Sequence, residues 1–352
     1  MVISVALVLT LSWVAVLLAR GNNDPMAFVA IGTRFQDHDP QGSIGYDGQF
    51  AYYIALEGLA SQPRLDVPSY RLQRIGYPLI VRLVSLGQAS LIPWMMIVVN
   101  LVALGIAAGV LAAWLVRYGR PAWYALVFAF WIGVIFTIRL GLNELSCVMF
   151  GIAGLALVRD QRLYAGALLL ALSALAKDMG FVFVAAAGLF LFFSGRRRAA
   201  LTLVVVSLLP YVLWAVILHF IVAEPAIIYG GTVPPLFPLQ GYGNAKTAIE
   251  LLLMVIWLIL PALALGTTAL IYGMRHPSSL PAWFMLTSAV WVLYLPGATA
   301  FDLTAAFRVA MPLVPAGLLF AADIQQPRLL YALSSLWTPA LLITLILPGF
   351  LG

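Results

Sequence analysis

Apolar positions in this chain neither alternate nor repeat on one helical face. They form continuous runs of membrane-spanning length, separated by short polar breaks. The runs fall at residues 2–19, 91–116, 122–138, 142–158, 163–176, 179–194, 200–222, 247–272, 282–296, 304–322 and 329–348. They predict about eleven spans, since some 20 apolar residues are needed to cross a bilayer. Backbone facing lipid must be satisfied within helices or closed barrels, and the short alternating strands of a barrel are absent. The expected fold is therefore an all-α polytopic bundle, with 1–352 a single integral membrane domain. Run 2–19 lacks a basic leader and an A-x-A site, which predicts an uncleaved first helix. Two polar segments interrupt the pattern. Residues 21–90 contain helix-forming stretches at 47–59 and 76–86, the second amphipathic. Residues 224–246 are rich in Gly, Pro and aromatics and predict an ordered or lid-like loop.

The short connections set the orientation. With the N-terminus in the cytoplasm, the inner connections are 117–121, 159–162, 195–199, 273–281 and 323–328. They hold nine of the nineteen basic residues against two acidic ones, Asp160 and Asp323, a net +7. The remainder of the chain has ten basic and eleven acidic residues, a net −1. This asymmetry is the positive-inside pattern. It requires the run 163–194 to be split at Lys177–Asp178, because one continuous span would place Arg159–Arg162 and Arg196–Arg198 on opposite faces. The resulting helices are too short for a full crossing. They predict a depression on the outer face, floored by the turns at 139–144 and 177–178.

Composition supports this class. The chain is 63% hydrophobic and 9% charged, whereas soluble domains carry about 25% charged residues. The formal charge of +6 follows from the topology, so no nucleic-acid partner is expected. The single cysteine, Cys147, cannot form an intrachain disulfide.

Polar residues on the predicted outer face form a short set. Segment 37–74 alone holds five of the thirteen carboxylates. The candidates in and around it are Asp37, Asp39, Asp47, Gln49, Tyr53, Arg71 and Arg74. Later segments add Arg139, Asn143, Glu144, Lys177, Asp178, Tyr229, Tyr242, Asp302 and Arg308. Asp47 is the expected catalytic residue: desolvation at the mouth of an apolar cavity would raise its pKa and suit it to general-base work near neutral pH. The plainer reading makes Asp47 an N-cap for the helix that follows. Arg71 and Arg74 lie one turn apart and share a helix face. Their plainer role is snorkelling to headgroups. For Arg308 it is pairing with Asp302, and for Lys177 pairing with Asp178. Asp37, His38 and Asp39 make a poor chelate as three consecutive residues, so no metal and no cofactor are expected.

The segments GYDGQFAYYIAL and YRLQRIGYPLIVRLVSLG resemble the first outer loop of GT-C-type integral membrane glycosyltransferases. Asp47-Gly48 followed by Tyr53-Ile54-Ala55 is similar to the WDG-x-x-Y-x-x-IA pattern of related mannosyltransferases, with Tyr46 in place of the tryptophan. LNEL at 142–145, LAKDMGFVF at 175–183 and FRVAMPLVP at 307–315 resemble later family segments, with Asp178 where Glu is more usual. The resemblance implies an inverting transferase at the extracytoplasmic face of the plasma (inner) membrane. Its donor would be a polyprenyl-phosphate sugar and its acceptor a glycan, lipid or protein hydroxyl. Asp37, Asp39, Gln49, Tyr53, Asn143, Glu144, Asp178 and Tyr242 would contact substrate, and Arg71, Arg74, Arg139, Lys177 and Arg308 would neutralise the departing phosphate. The alternatives are a transporter or flippase of lipid-linked sugars, and a non-catalytic subunit or acyltransferase. A transporter usually shows repeat symmetry, and none is visible. An acyltransferase needs a His or Ser pair, and the outer face offers only His38.

Overall fold

The computed structural model describes residues 1–222 and 235–345. Among the described residues there are only helices and their connections. Tyr229 and residues 224–234 of the 224–246 segment lie outside them, as do residues 346–348 of the last expected span. The principal helices are α1 (Val2–Arg20), α2 (Gly48–Glu57), α3 (Gly76–Val84), α4 (Ile92–Arg117), α5 (Ala122–Ala129), α6 (Ile132–Arg139), α7 (Glu144–Arg159) and α8 (Leu163–Ala176). They continue with α9 (Gly180–Phe193), α10 (Arg197–Val222), α11 (Ala248–Arg275), α12 (Leu280–Leu293), α13 (Leu303–Val309), α14 (Leu313–Asp323) and α15 (Pro327–Trp337).

Four of these are long and apolar enough to cross a membrane: α1, α4, α10 and α11. The number rises to six if the bent pairs α5–α6 and α13–α14 each count as one span, with bends of 52° and 43°. The expected runs 122–138 and 304–322 are thus broken helices. At the second break Pro312 has no N–H to continue the ladder, and Gly133, just after the first, lies so close to the Phe307 carbonyl that a Cβ would approach it to 2.3 Å. The short helices α8, α9 and α12 have 14 residues each. A membrane-crossing chain is supported at this coarser level; a count of eleven spans is not.

One large apolar core runs from Val2 to Ala340, with α7 against α8, α11 against α12, α8 against α10, and α4 between α1 and α7. The basic connections meet at one end of the bundle. Arg117 pairs with Asp160 at 2.7 Å, Arg120 donates to Gln325 at 2.9 Å, and Ser279 donates to Asp323 at 2.5 Å. At the other end the 21–90 segment folds into an ordered helical cap. Phe50, Ile54, Leu65 and Leu72 pack on Ala215 and Leu218 of α10. Trp214 fixes the contact by donating to the Leu72 carbonyl at 2.8 Å. On the far side Val29, Ala55, Tyr77 and Val81 pack on Ile92 and Met96 of α4. The cap therefore bridges the bundle and closes over the turns beneath it.

Candidate active site

Two buried turns form the floor. Helix α8 ends at Ala176, Lys177 is extended, and α9 restarts at Gly180, which is the expected break at Lys177–Asp178. Gly180 makes the reversal possible, since a Cβ there would lie 2.5 Å from the Ala174 nitrogen. The second turn, between α6 and α7, passes through Gly141 at φ +61, a conformation that favours glycine. Asn143 stitches the two together by donating to the Ala176 carbonyl at 2.8 Å, a group that α8 leaves without a helical partner. Ser173 adds a bond to the Cys147 carbonyl at 2.8 Å.

The cap lies directly on this floor. A Cβ on Gly48 would come within 2.0 Å of the Leu140 carbonyl, so only glycine admits the contact. Before it, residues 43–46 are clasped by Gln49, whose side chain accepts from the Gly32 amide at 3.0 Å and donates to the Ile44 carbonyl at 2.7 Å. This clasp presents Tyr46 and Asp47 to the turns.

The charged side chains then interlock. Asp47 stands at the N-terminus of α2, but its carboxylate makes no cap hydrogen bond. It pairs instead with Arg71 at 3.0 Å and Arg308 at 3.9 Å. Arg71 is gripped by both oxygens of Asp66, at 2.7 Å each, and lies 4.3 Å over the Phe50 ring. Arg74 pairs with Asp178 at 3.1 Å and donates to the Tyr70 hydroxyl. Glu144 sits at the centre, 2.5 Å from both Lys177 and Arg308. Arg308 also donates to the Tyr46 hydroxyl at 3.0 Å, and Tyr46 donates to Asp302 at 2.9 Å. The plainer pairings are not the ones formed. Lys177 takes Glu144 rather than its neighbour Asp178, and Arg308 reaches Asp302 only through Tyr46. Arg71 and Arg74 are held inward rather than snorkelling.

Accessibility separates the carboxylates. Glu144 has none, whereas Asp47 keeps 36% of its side chain accessible. A cavity of about 140 Å³ is lined by Asp47, Tyr70, Arg74, Lys177, Asp178 and Arg308, with Trp291 among its apolar walls. A smaller one of about 30 Å³ is lined by Asp47, Arg71, Arg74, Asn143 and apolar groups including Phe50 and Pro78. Asp47 and Arg74 belong to both and form the wall between them. The expected elevation of the Asp47 pKa is corrected by this setting. Burial does oppose its ionisation, but Arg71 and then Arg308 outweigh burial and hold the carboxyl below the usual carboxylate range.

Eight expected residues line neither cavity: Glu144 and Asp302 belong to the charged cluster beside them, and six others stand apart from it. Gln49 is committed to the clasp. Asp37 is exposed, and Asp39 accepts from the Gln41 amide at 2.9 Å. Tyr53 lies beneath Arg64. Arg139 donates to the Ala27 carbonyl at 2.6 Å, and Tyr242 to that of Val292 at 2.9 Å. Conversely, Tyr46, Asp66, Tyr70 and Trp291 were not singled out. Tyr46 is adjacent to Asp47, and Asp66 and Tyr70 lie five and four residues before the arginines they hold, so these three carried a local signal. Trp291 is placed by tertiary contacts. Among the described residues no three His, Cys, Asp or Glu side chains gather to hold a metal ion. No protein-family model matches the chain, and neither curated proteins nor solved structures give a significant match.

Proposed function

We propose that the chain is an integral membrane glycosyltransferase of the GT-C type, transferring a sugar from a polyprenyl phosphate to an acceptor hydroxyl at the extracytoplasmic face of the inner membrane. The observation that supports this best is Asp47 itself, an accessible carboxylate on the shared wall of two cavities, with Arg71 and Arg308 upon it. Arg74 and Lys177 line the larger cavity, so a phosphate there meets planar guanidinium forks and an ammonium. Helix α7 starts at Glu144 in the cluster and ends at Arg159 in the basic connections. Its 16 residues span about 24 Å at 1.5 Å each, short of the roughly 30 Å hydrocarbon core. The site then lies beneath the outer surface, where the donor's phosphate can reach it while its lipid tail stays in the bilayer. In this arrangement the short helices and bent pairs all belong to a bundle of about eleven membrane segments.

The reaction is a single displacement. The acceptor oxygen attacks the anomeric carbon and forms the new glycosidic bond, while its proton passes to Asp47. The bond from carbon to the phosphate oxygen breaks, and its electron pair leaves with the phosphate. One negative charge thus moves from Asp47 to the phosphate in front of the same cations. Arg71 and Arg308, relieved of the Asp47 charge while still anchored by Asp66 and Glu144, turn their remaining charge to the leaving group. Donor binding also prepares the base: a phosphate that shares the guanidinium charge weakens its hold on Asp47 and raises the carboxylate's basicity toward the working pH.

Every buried charged side chain among the described residues belongs to this one cluster, which favours an enzyme over a transporter with a site at mid-membrane. The test is a panel of radiolabelled polyprenyl-phosphate sugars offered to the purified protein. Transfer of label to an acceptor supports the proposal. Movement of lipid-linked sugar across liposomes with no transfer would instead establish a flippase.

A further inference from the structure

At the end of the bundle opposite Asp47, helices α9 and α10 leave a groove of about 500 Å³ between them. Ala185, Gly188 and Leu189 form one wall, and Ala200, Leu201 and Val204 the other. It runs from Phe192 back to Ala185, about 10 Å at the helical rise, which is comparable with the upper part of one bilayer leaflet. The one charged group lining it is Arg197, at the mouth, with its guanidinium 5.4 Å above the Phe192 ring.

The charge there is uncompensated. Arg196, Arg197 and Arg198 are consecutive and exposed, and none of them pairs with a carboxylate among the described residues. Arg196 donates to the neutral Gln161 side chain. The neighbouring acid, Asp160, is already taken by Arg117 at 2.7 Å and Arg159 at 3.0 Å. A second apolar groove, lined by Ile3, Leu7, Gly105 and Gly109 between α1 and α4, has no charged residue at all. It offers hydrocarbon contact to any lipid and selects none. The combination of an acyl-sized apolar channel and an unpaired cation at its mouth occurs only at Arg197 among these grooves.

We propose that the α9–α10 groove holds one acyl chain of an anionic diacyl phospholipid, with its phosphate bound by Arg197 and the flanking arginines supplying the selectivity for net negative charge. A basic pocket between membrane helices on the positively charged side has the chemistry of an anionic-headgroup site. The lipid would brace α9 against α10, and through α9 the Lys177–Asp178 turn at its other end. This inference needs only the membrane reading of the chain and is independent of sugar transfer.

The experiment is native mass spectrometry of the protein released from vesicles of equal phosphatidylglycerol and phosphatidylcholine, with thermal unfolding recorded alongside. Wild type is expected to retain phosphatidylglycerol in preference. Arg197→Gln should lower the preference about fivefold, the effect of one cation near a membrane surface. Leu201 is 68% exposed, so Leu201→Trp should fill the groove and expel the lipid while the protein stays folded. Equal retention of the two lipids by wild type would overturn the proposal, as would undiminished phosphatidylglycerol binding in folded Leu201→Trp or Arg197→Gln protein.

Discussion

Two carboxylates 97 positions apart in sequence, Asp47 and Glu144, illustrate how residue-scale environment assigns roles. Glu144 is inaccessible between two cations. Removing its charge leaves Lys177 without its ion pair and Arg308 with only the longer contact to Asp47, and breaking a buried pair costs about 3–5 kcal/mol. Glu144→Gln should therefore lower the unfolding temperature of the purified protein sharply, whatever it does to activity. The Tyr46 hydroxyl lies between Arg308 and Asp302, and Tyr46→Phe removes both bonds while leaving the ring near Arg308. We expect kcat to fall about tenfold, the effect of losing one charge-assisted hydrogen bond, with the donor KM little changed; an unaltered kcat would remove Tyr46 from the site. The depressed Asp47 pKa sets the pH profile. Because Arg71 stabilises the ionised form, Asp47 stays deprotonated as pH falls, until below the ordinary carboxylate value of about 3.9. The acid limb of kcat/KM should lie correspondingly low. In Arg71→Gln the same burial acts with less opposition, so the limb should move to higher pH. A limb that does not move would mean that another group controls it. Sequence alone pointed to Asp47 and to the cations, but not to this pKa. Burial was legible from composition, whereas the arrival of Arg308 from 261 residues away was not.

At the scale of elements, the break at Lys177–Asp178 was legible because charge asymmetry demanded it. The structure places the helix end at Ala176. The 21–90 segment was legible as polar and partly helical, but its docking on α4 and α10 depends on contacts that no local pattern encodes. The same holds for the bent pairs, where continuous apolar sequence hides a chain that turns inside the bundle. Glycines mark the close approaches. Gly48→Ala would press a methyl group onto the Leu140 carbonyl and lift Asp47 away from the floor. It should abolish transfer and lower thermal stability. Gly243→Ala, with nothing near its Cβ, should be neutral in both measurements. Equal behaviour of the two variants would contradict this account of the cap.

For the whole molecule, the segregation of basic connections at one end and the acid–base cluster at the other was readable from the order of charges along the chain. The lengths of individual crossings were not, because helix length is set by where turns are buried rather than by hydropathy. The proposed orientation can be checked by labelling. Cys147 is buried, so added surface cysteines report alone. Gln41 and Gln326 are both exposed and belong to opposite ends. An impermeant maleimide should label Gln41→Cys in intact cells, and Gln326→Cys only after permeabilisation. The reverse pattern would place the site in the cytoplasm.

The most direct measurement is the turnover of Asp47→Asn with the donor that wild type uses, alongside its unfolding temperature. Loss of the base should lower kcat at least about a hundredfold, while the unfolding temperature falls only modestly, because Arg71 keeps Asp66 and Arg308 keeps Glu144. Transfer at close to the wild-type rate by the folded variant would contradict the assignment of Asp47 and, with it, the mechanism.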